Sequence, residues 1–471
     1  MSGDPEIPLP SSAIHKTLQP TGQRNREERQ TRRRHRGRAY AVAGTAHAAG
    51  FQLTEQSALA LGRAYAGVGV DGTDISGVYY NPATMVLHKG TKVQGGGVLV
   101  GLNLDYADKE PGNDQNGRGV EKFVPNGFMT HQINDTTWVG LGITVPFGMA
   151  TEYSKDWKHK DHGTDAEIMV IDFNPNVAWK LTDRFSIGAG VSLQYADATL
   201  GIGADVPTLG DSIRGELEVD TWAWGWNIGA MWMPLDNLRF GVSYRSEVRH
   251  TAEGDLKVSG AGVKSQTAAL QAMNGKYDGS VEMSAPAWAM ATAAWDVNDM
   301  LSLYATFRWT DWSSFKTLDI ESAGLAATTA GIIGQIEASG GANKDQMIQM
   351  IKSVSQGMSH ITNDWRDTYM GSLGADLRVN DFWTLRGGVA YETSPIARPQ
   401  TRTAIIPDAN RWWFAVGSSF KWSKQFQTDV AFAHLHGVGE RNLYAKDTGE
   451  KIGRFRRLDA YLIGVQAQYA F

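Results

Sequence analysis

The histidines are the residues whose spacing comes closest to that of a chemical site. His434 and His436 flank Leu435, which places both imidazoles on one face of a strand, as two ligands of one metal ion would be. A metal ion needs further ligands nearby, and the sequence indicates none, so we predict no metal site. His159 and His162 lie in a charged segment and are expected to be solvated.

Motifs of hydrolytic enzymes are absent from the sequence. There is no G-x-S-x-G and no H-E-x-x-H. The chain has 0 Cys, which excludes disulfides and Cys-ligated metals and is compatible with export to an oxidising compartment. We therefore predict a protein that is not an enzyme and holds no cofactor.

The β-strands that must position any site are clearest in the last segment, 458–471. There, bulky apolar residues alternate with small or polar ones at a period of two. One face is bulky and apolar, and it carries Tyr461, Ile463, Val465, Tyr469 and Phe471. The other face is small or amide-bearing, with Gly464, Gln466 and Gln468. Such a strand suits a wall between lipid and a wetter interior, although a soluble sheet could also carry it.

Composition favours a membrane β-barrel. The chain has 53 Gly together with 16 Trp, 15 Tyr and 16 Phe, and its mean hydropathy is only −0.32. No apolar run is long enough for a membrane-spanning helix, whereas a barrel strand turns only half of its residues toward lipid. The formal net charge is −5. Basic residues concentrate before residue 49, and the acidic remainder argues against a nucleic-acid partner.

From about residue 91 the chain consists of alternating segments joined by turns of two very different lengths. Short polar turns occur near 134–135, 182–184, 235–237, 297–299, 380–381 and 423–424. Long polar stretches lie near 107–118, 151–165, 200–214, 252–280, 316–362, 397–408 and 441–453. Six short turns and seven long loops predict an all-β, antiparallel membrane barrel of about fourteen strands. Within the longest loop, apolar residues at helical spacing predict an amphipathic helix over 344–358. This helix either packs on the barrel rim or forms an apolar surface that captures a hydrophobic ligand.

The segments before residue 91 do not alternate. Residues 1–48 contain a basic run and an A-x-A cleavage pattern at Ala46–Ala48, but not the apolar core of a signal peptide. Either the true start differs from Met1 or the export signal is atypical. Residues 49–90 are small, Gly-rich and mildly apolar, so they either hang in the periplasm or fold into the lumen as a plug, with 91–471 forming the barrel.

Several stretches, taken in order, resemble the FadL-type long-chain fatty acid transporters of the outer membrane. The run AGFQLTEQSALALGRAYAG at 49–67 and the triplet Asn81, Pro82, Ala83 resemble the N-terminal hatch of that family. Further similar stretches are PFGMATEY at 146–153, NDWRDTY at 363–369, LRGGVAYETSPI at 385–396, IPDANRWW at 406–413, AFAHLHG at 431–437 and the terminal Phe471. The resemblance covers roughly 49–471. It implies a fourteen-stranded outer-membrane barrel plugged by its hatch.

The resemblance also implies a transport route. Moving an alkyl chain from an apolar environment into a water-filled pore would cost about 0.8 kcal/mol per CH₂, or roughly 12 kcal/mol for a sixteen-carbon chain. An apolar path is therefore needed. The family's path runs from outer loops to a lumenal pocket and out through a gap beside the kinked third strand. Pro146, Phe147 and Gly148 are the expected gap residues, since proline donates no ladder hydrogen bond, although an ordinary bulge would look the same.

Site residues follow from the same resemblance. Phe51 is expected beside the internal pocket, so that hatch movement opens or closes it, and Asn81, Pro82 and Ala83 are expected to anchor the hatch. A carboxylate ligand should require a cation, for which Arg398, Arg402 and Arg411 are candidates, unless they form lumenal ion pairs. Apolar candidates for an outer groove are Ile202, Val206, Leu209 and Leu256.

The expected partners are a long-chain fatty acid or another hydrophobic molecule, such as a monoaromatic or alkane hydrocarbon, and outer-membrane lipid with lipopolysaccharide. The strand that ends at Phe471 is expected to engage the barrel-assembly machinery, and the protein is expected to be a monomer. A general porin and a barrel esterase remain as alternatives. The porin predicts a polar, conducting lumen without a hatch, and the esterase predicts a Ser-His pair in the wall.

Overall fold

The structure is a computed structural model that describes residues 50–117, 121–206, 210–341, 343–446 and 448–471. The segment 1–48, with its predicted cleavage pattern, lies outside the described residues. No helix in the described part of the chain is long and apolar enough to cross a membrane.

Fourteen antiparallel strands, counted over the described residues, close into one barrel. They are β1 Thr91–Asp108, β2 Lys122–Asn134, β3 Thr137–Glu152, β4 Asp165–Thr182, β5 Phe185–Val206, β6 Asp211–Leu235, β7 in two segments Leu238–Arg245 and Val248–Ser259, β8 in two segments Gly275–Ala285 and Trp288–Asp296, β9 Leu301–Thr310, β10 Thr368–Arg378, β11 Trp383–Glu392, β12 Asn410–Lys421, β13 Phe426–Val438 and β14 Lys451–Ala470. Closure is made by β14, which pairs with β1 from Lys92↔Ala470 to Asp108↔Gly453. The predicted fold class and strand number are confirmed.

The chain connections at one end of the barrel are short, as predicted. Each of the six short turns joins two neighbouring strands, at 135–136, 183–184, 236–237, 297–300, 379–382 and 422–425. Two of the predicted long loops are wrong, because β5 and β6 stay paired up to Val206↔Asp211, and β7 and β8 up to Val258↔Gly275. These strand ends project beyond the lipid-facing band and therefore lack the apolar outer face that reveals a strand in the sequence.

Apolar side chains cover the outer face of the barrel wall. On β13 and β14, Val430, Phe432, Ile463 and Val465 are exposed, whereas the intervening Ala433 and Leu462 are buried. This alternation matches a wall with lipid outside and packed residues inside. The bulky face of the terminal strand is therefore the lipid-facing one.

The segment 50–90 fills the lumen at the short-turn end and is almost entirely buried. We call this segment the hatch. It consists of the short helices α1 Ala58–Leu61 and α2 Gly77–Tyr80, a 3₁₀ helix Pro82–Leu87, and irregular chain between them. Small residues allow the hatch backbone to approach the wall closely.

The long-loop end carries the remaining elements. Helix α3 spans Ala268–Gln271, and the longest loop contains α4 Ala323–Ser339 and α5 Lys344–Ser359. Short strands occur at Gln115–Gly117, Thr317–Glu321, His360–Thr362 and Asn442–Tyr444, and 3₁₀ turns at Lys160–His162, Trp312–Ser314 and Pro399–Thr401. The helix predicted over 344–358 is confirmed. Sequence analysis missed α4 because its apolar residues do not gather on one face.

Candidate functional site

The first described residues of the hatch end in an aromatic cluster inside the barrel. Phe51 is 0 % exposed, and its ring centroid lies 4.8 Å from that of Trp312, 5.4 Å from Phe315 and 5.9 Å from Phe147. The ring of Trp365 lies 6.1 Å from that of Phe51. Most of these contacts are edge-to-face, the geometry that aromatic quadrupoles favour. The cluster therefore contributes aromatic packing that holds the start of the described hatch.

Backbone hydrogen bonds fasten the same stretch to the wall strand β3. The N–H of Gly148 donates to the carbonyl of Phe51 (2.9 Å), and the N–H of Leu53 donates to the carbonyl of Pro146 (2.7 Å). The Gln56 side chain continues this pairing, since its amide donates to the Val145 carbonyl (2.7 Å). The hatch thus behaves as an additional strand along the inner edge of β3.

This edge is available because β3 leaves its neighbour. Pairing between β2 and β3 ends at Gly127↔Ile143, while β2 continues alone along β1 as far as Lys122↔Val100. On the other side, the β3–β4 register shifts between Thr144 and Phe147. Pro146 lies in this shift and has no N–H to donate. A gap in backbone pairing therefore opens between β2 and β3, and the hatch faces it from inside.

Next to the aromatic cluster lies a narrow apolar cavity with a volume of about 50 Å³. Phe315 belongs to both, since it contacts Phe51 and lines the cavity. The lining comes from β3 to β8 and from two long loops. It consists of Met149, Ile168, Ala196, Ala198, Thr199, Leu200, Leu217, Val219, His250, Ala252, Val281, Met283, Phe315, Leu318, Ile361, Asn363, Ile405 and Ile406. None of these described lining residues is an Asp, Glu, Lys or Arg, and His250 is the one titratable side chain among them.

Three of the four residues predicted for an outer groove, Ile202, Val206 and Leu256, are buried in the same apolar core as Phe51. Leu209 lies outside the described residues. Two residues of α5, Ile351 and Val354, join this core from above. The upper barrel and the loop helices therefore form one continuous apolar body around the cavity.

The arginines predicted to receive a carboxylate are engaged elsewhere. Arg398 is exposed and pairs with Asp364 at 2.6 Å. Arg402 is buried and donates to three loop carbonyls, those of Asp408, Glu440 and Asn442. Neither residue lines the apolar cavity.

Arg411 belongs to a buried charge cluster beneath the aromatic cluster, and it does not line the cavity either. Its guanidinium lies 2.6 Å from Asp408 and 3.7 Å from Glu392. Glu392 also binds Arg308 at 2.9 Å. The cluster is tied to the hatch, because Asp408 accepts from the N–H of Gly50 (2.8 Å) and Arg308 donates to the Thr54 hydroxyl (2.8 Å).

Glu55 is the hatch carboxyl nearest these charges and is 0 % exposed. Neither of its oxygens has a hydrogen-bond partner on another described residue. Burial raises the pKa of Glu55 to about 8, so the group is mostly protonated at neutral pH. Sequence analysis missed Glu55 because, in a segment of mixed polar and apolar residues, nothing distinguishes it from an ordinary solvent-exposed glutamate.

The Asn81–Ala83 turn lies against the wall at the short-turn end. The Asn81 amide donates to the carbonyls of Gly69 and Ala230, both at 3.0 Å, and the Ser186 hydroxyl donates to the Ala83 carbonyl at 3.0 Å. A Cβ on Gly229 would lie 2.0 Å from the Asn81 carboxamide oxygen. Only glycine in the wall leaves room for this contact.

Two histidine expectations change in the structure. His162 is 2 % exposed and His159 is half-buried beside Asp108, so the expectation that both are solvated is wrong. His159 lies against Trp157 of its own loop and against Asp108 at the end of β1. His434 and His436 acquire a neighbour, since Asp459 brings ligand atoms of all three within 4.8 Å of one another on the outer wall. That carboxylate already accepts hydrogen bonds from His436 and from the N–H of Gly437.

Comparison with known proteins agrees with this architecture. Residues 39–471 match the family model of outer membrane protein transport proteins (OMPP1/FadL/TodX). The 47 kDa outer membrane protein of Pasteurella multocida is 28 % identical over 91 % of this chain and 96 % of its own length. The long-chain fatty acid transport protein of Escherichia coli K12 is 25 % identical over 91 % and 96 %.

Solved structures show the same fold. A Pseudomonas aeruginosa FadL homologue superposes with a TM-score of 0.75 at 23 % identity, covering 90 % of this chain and all (100 %) of that one. The Pseudomonas putida toluene transporter TodX superposes with a TM-score of 0.65 at 16 % identity, covering 87 % and 98 %. The chain therefore belongs to the OMPP1/FadL/TodX family of outer membrane transport proteins, and its barrel spans the bacterial outer membrane.

Proposed function

We propose that the protein mediates passive uptake of long-chain fatty acids across the outer membrane. The observation that carries the proposal is the apolar cavity, which adjoins the hatch at Phe51 and is enclosed by apolar side chains from the barrel wall and the loops. Moving an alkyl chain through such a cavity avoids the cost of about 0.8 kcal/mol per CH₂ that a wet pore would impose. Relatives named long-chain fatty acid transport proteins support this choice of substrate.

Uptake of neutral hydrocarbons is the second candidate. It is favoured by the uncharged lining of the cavity, and structural neighbours include proteins described as toluene transporters. The experiment is growth of an uptake-deficient strain on oleate and on toluene, with and without this protein. Growth on neither substrate, despite correct insertion, would contradict both candidates.

The cavity can be tested by filling it. Ala196 is buried on β5 and lines the cavity, so Ala196→Trp should abolish uptake. Val191 is on the same strand but is 53 % exposed toward lipid, so Val191→Trp is the matched control and should leave uptake unchanged. Equal uptake by the two variants would place the substrate elsewhere.

The gap between β2 and β3 is the proposed exit toward the membrane, and the hatch residues Phe51 to Gln56 are its proposed gate. Continuing the register beyond Gly127↔Ile143 would set Asn126 opposite Thr144. Both side chains are buried and have no hydrogen-bond partner among the described residues, so replacing them by cysteine removes no such bond. A disulfide between Asn126→Cys and Thr144→Cys should close the gap and stop uptake until a reductant is added.

The matched control for the gap joins the same strands where they are already paired, with Met129→Cys and Leu141→Cys. That disulfide should leave uptake intact. Because the chain contains 0 Cys, no native thiol interferes. Uptake that continues through the oxidised Asn126/Thr144 protein would refute the lateral exit and leave the cavity assignment standing.

A further inference from the structure

Two buried polar atoms on the cavity wall have no hydrogen-bond partner among the described residues. They are Nδ1 of His250 and Nδ2 of Asn363. Each of the two residues is 1 % exposed. Unpaired buried polar atoms are uncommon in folded proteins because each one costs free energy. Both residues line the apolar cavity, where a bound ligand would supply the missing partners.

The hydrogen-bonding role of His250 follows from its other nitrogen. Nε2 lies 3.1 Å from the Oε1 of Gln194, an oxygen that can only accept. Nε2 therefore carries the proton, and Nδ1 presents a lone pair as an acceptor. Asn363 is held in place by its own N–H, which donates to the carbonyl of Lys316 (2.8 Å), and its Nδ2 is a donor.

Besides the Thr199 hydroxyl, the described cavity wall thus offers one unpaired acceptor and one unpaired donor, and no cation. The three arginines that could have received a carboxylate are engaged outside the cavity. A carboxylate would give up its hydration on entry without gaining an opposite charge, which is expensive in an apolar surrounding. A neutral head that both donates and accepts would lose far less.

We propose that this cavity selects long-chain amphiphiles with an uncharged hydrogen-bonding head, either a hydroxyl or a protonated carboxyl group. The O–H of that head donates to Nδ1 of His250, and Asn363 supplies a donor for a ligand oxygen. The inference rests on the proposed function, in which this cavity binds the substrate. A fatty acid would accordingly bind here as the acid and not as its anion.

The test compares three ligands of equal chain length on the full-length protein in lipid nanodiscs, with empty nanodiscs as the background. 1-Decanol has a donor and an acceptor, decyl methyl ether has only an acceptor, and decanoate at about pH 9 is charged because carboxyl groups titrate near pH 4. Calorimetric titration should give the tightest binding for decanol, at least about tenfold tighter than for decanoate. Decanoate binding as tightly as decanol would overturn the inference.

Variants assign the effect to His250. His250→Leu should remove the preference for decanol over the ether, whereas His250→Gln keeps an acceptor and should retain it. His162→Leu replaces a similarly buried histidine that does not line the cavity, so it serves as the matched control and should retain the preference. A preference that survives His250→Leu would also overturn the inference.

Failure of the proposed function would look different. If Ala196→Trp leaves the binding of all three ligands intact, or if no ligand binds at all, the cavity is not the substrate site. If ligands bind and Ala196→Trp blocks them, but decanol has no advantage over decanoate, only the inference about the head group fails. Folding of each variant is checked by its heat-dependent gel mobility.

Discussion

Truncating Phe51 tests whether the aromatic cluster holds the hatch closed. Phe51→Ala removes a fully buried ring that contacts four aromatic side chains. Such truncations cost about 3–5 kcal/mol in packed cores. Because about 1.4 kcal/mol corresponds to a tenfold change in an equilibrium, the undocked population of the hatch should rise by roughly two to three and a half orders of magnitude.

Thiol labelling measures that population directly. The chain has 0 Cys, so Gln52→Cys introduces a single thiol at a position that is 2 % exposed when the hatch is docked. When docking is fast relative to labelling, the rate of maleimide modification is proportional to the undocked population. Adding Phe51→Ala should therefore raise the labelling rate by the same factor, until the thiol is freely accessible.

The control is an equally buried ring far from the hatch. Phe455 is 1 % exposed and packs on Tyr106 in a separate cluster at the long-loop end. Phe455→Ala should leave labelling at Gln52→Cys unchanged. If Phe51→Ala raises the rate no more than Phe455→Ala does, the aromatic cluster does not hold the hatch and the reasoning is refuted.

Three further predictions concern the hatch and the loop after β3. The folded-state pKa of Glu55, about 8, lies above its ordinary value of 4.5, so the thermal midpoint should fall as pH rises between these values. Glu55→Gln should flatten that dependence, and an unchanged slope would contradict it. Asn81→Ala removes two hydrogen bonds, worth about 1 kcal/mol each, and should accelerate amide exchange across 69–84 but not in β12. Burial lowers the pKa of His162 from 6.5 to about 3, so acidification through that range should loosen loop 153–163. His162→Leu should abolish this acid-induced loss of protection against amide exchange, and equal protection factors at pH 7 and pH 4 in the parent protein, after correction for the intrinsic exchange rates, would refute the assignment.

Local patterns were sufficient for the barrel itself. Alternation with a period of two reveals a strand wherever one face must meet lipid, and the outward Ile463 and Val465 show this on β14. Turn lengths then predict the number of strands, because hairpins at one end are short. The same rule explains the errors at 200–214 and 252–280. Strands that continue beyond lipid no longer need an apolar outer face.

Tertiary structure alone decided which polar groups meet. His250 on β7 meets the side chain of Gln194 on β5, with β6 between them in the wall, and Asn363 reaches the same cavity from a loop more than a hundred residues later. Arg411 finds Asp408 and Glu392, which turns a candidate ligand-binding cation into a paired one. Such meetings depend on strand register and on the path of each loop. Neither leaves a periodic signal in the chain.

The hatch shows most clearly which features the sequence determines and which only the tertiary structure decides. From the sequence, residues 49–90 were recognisable as a segment that could not continue the barrel, and Pro146 as a residue that interrupts a strand. That the two belong together became visible only in three dimensions, where Phe51 and Leu53 pair with the edge that β3 exposes at Pro146. The physical reason is that an unpaired strand edge must find a partner, and its partner is set by proximity in space and not by order in the chain.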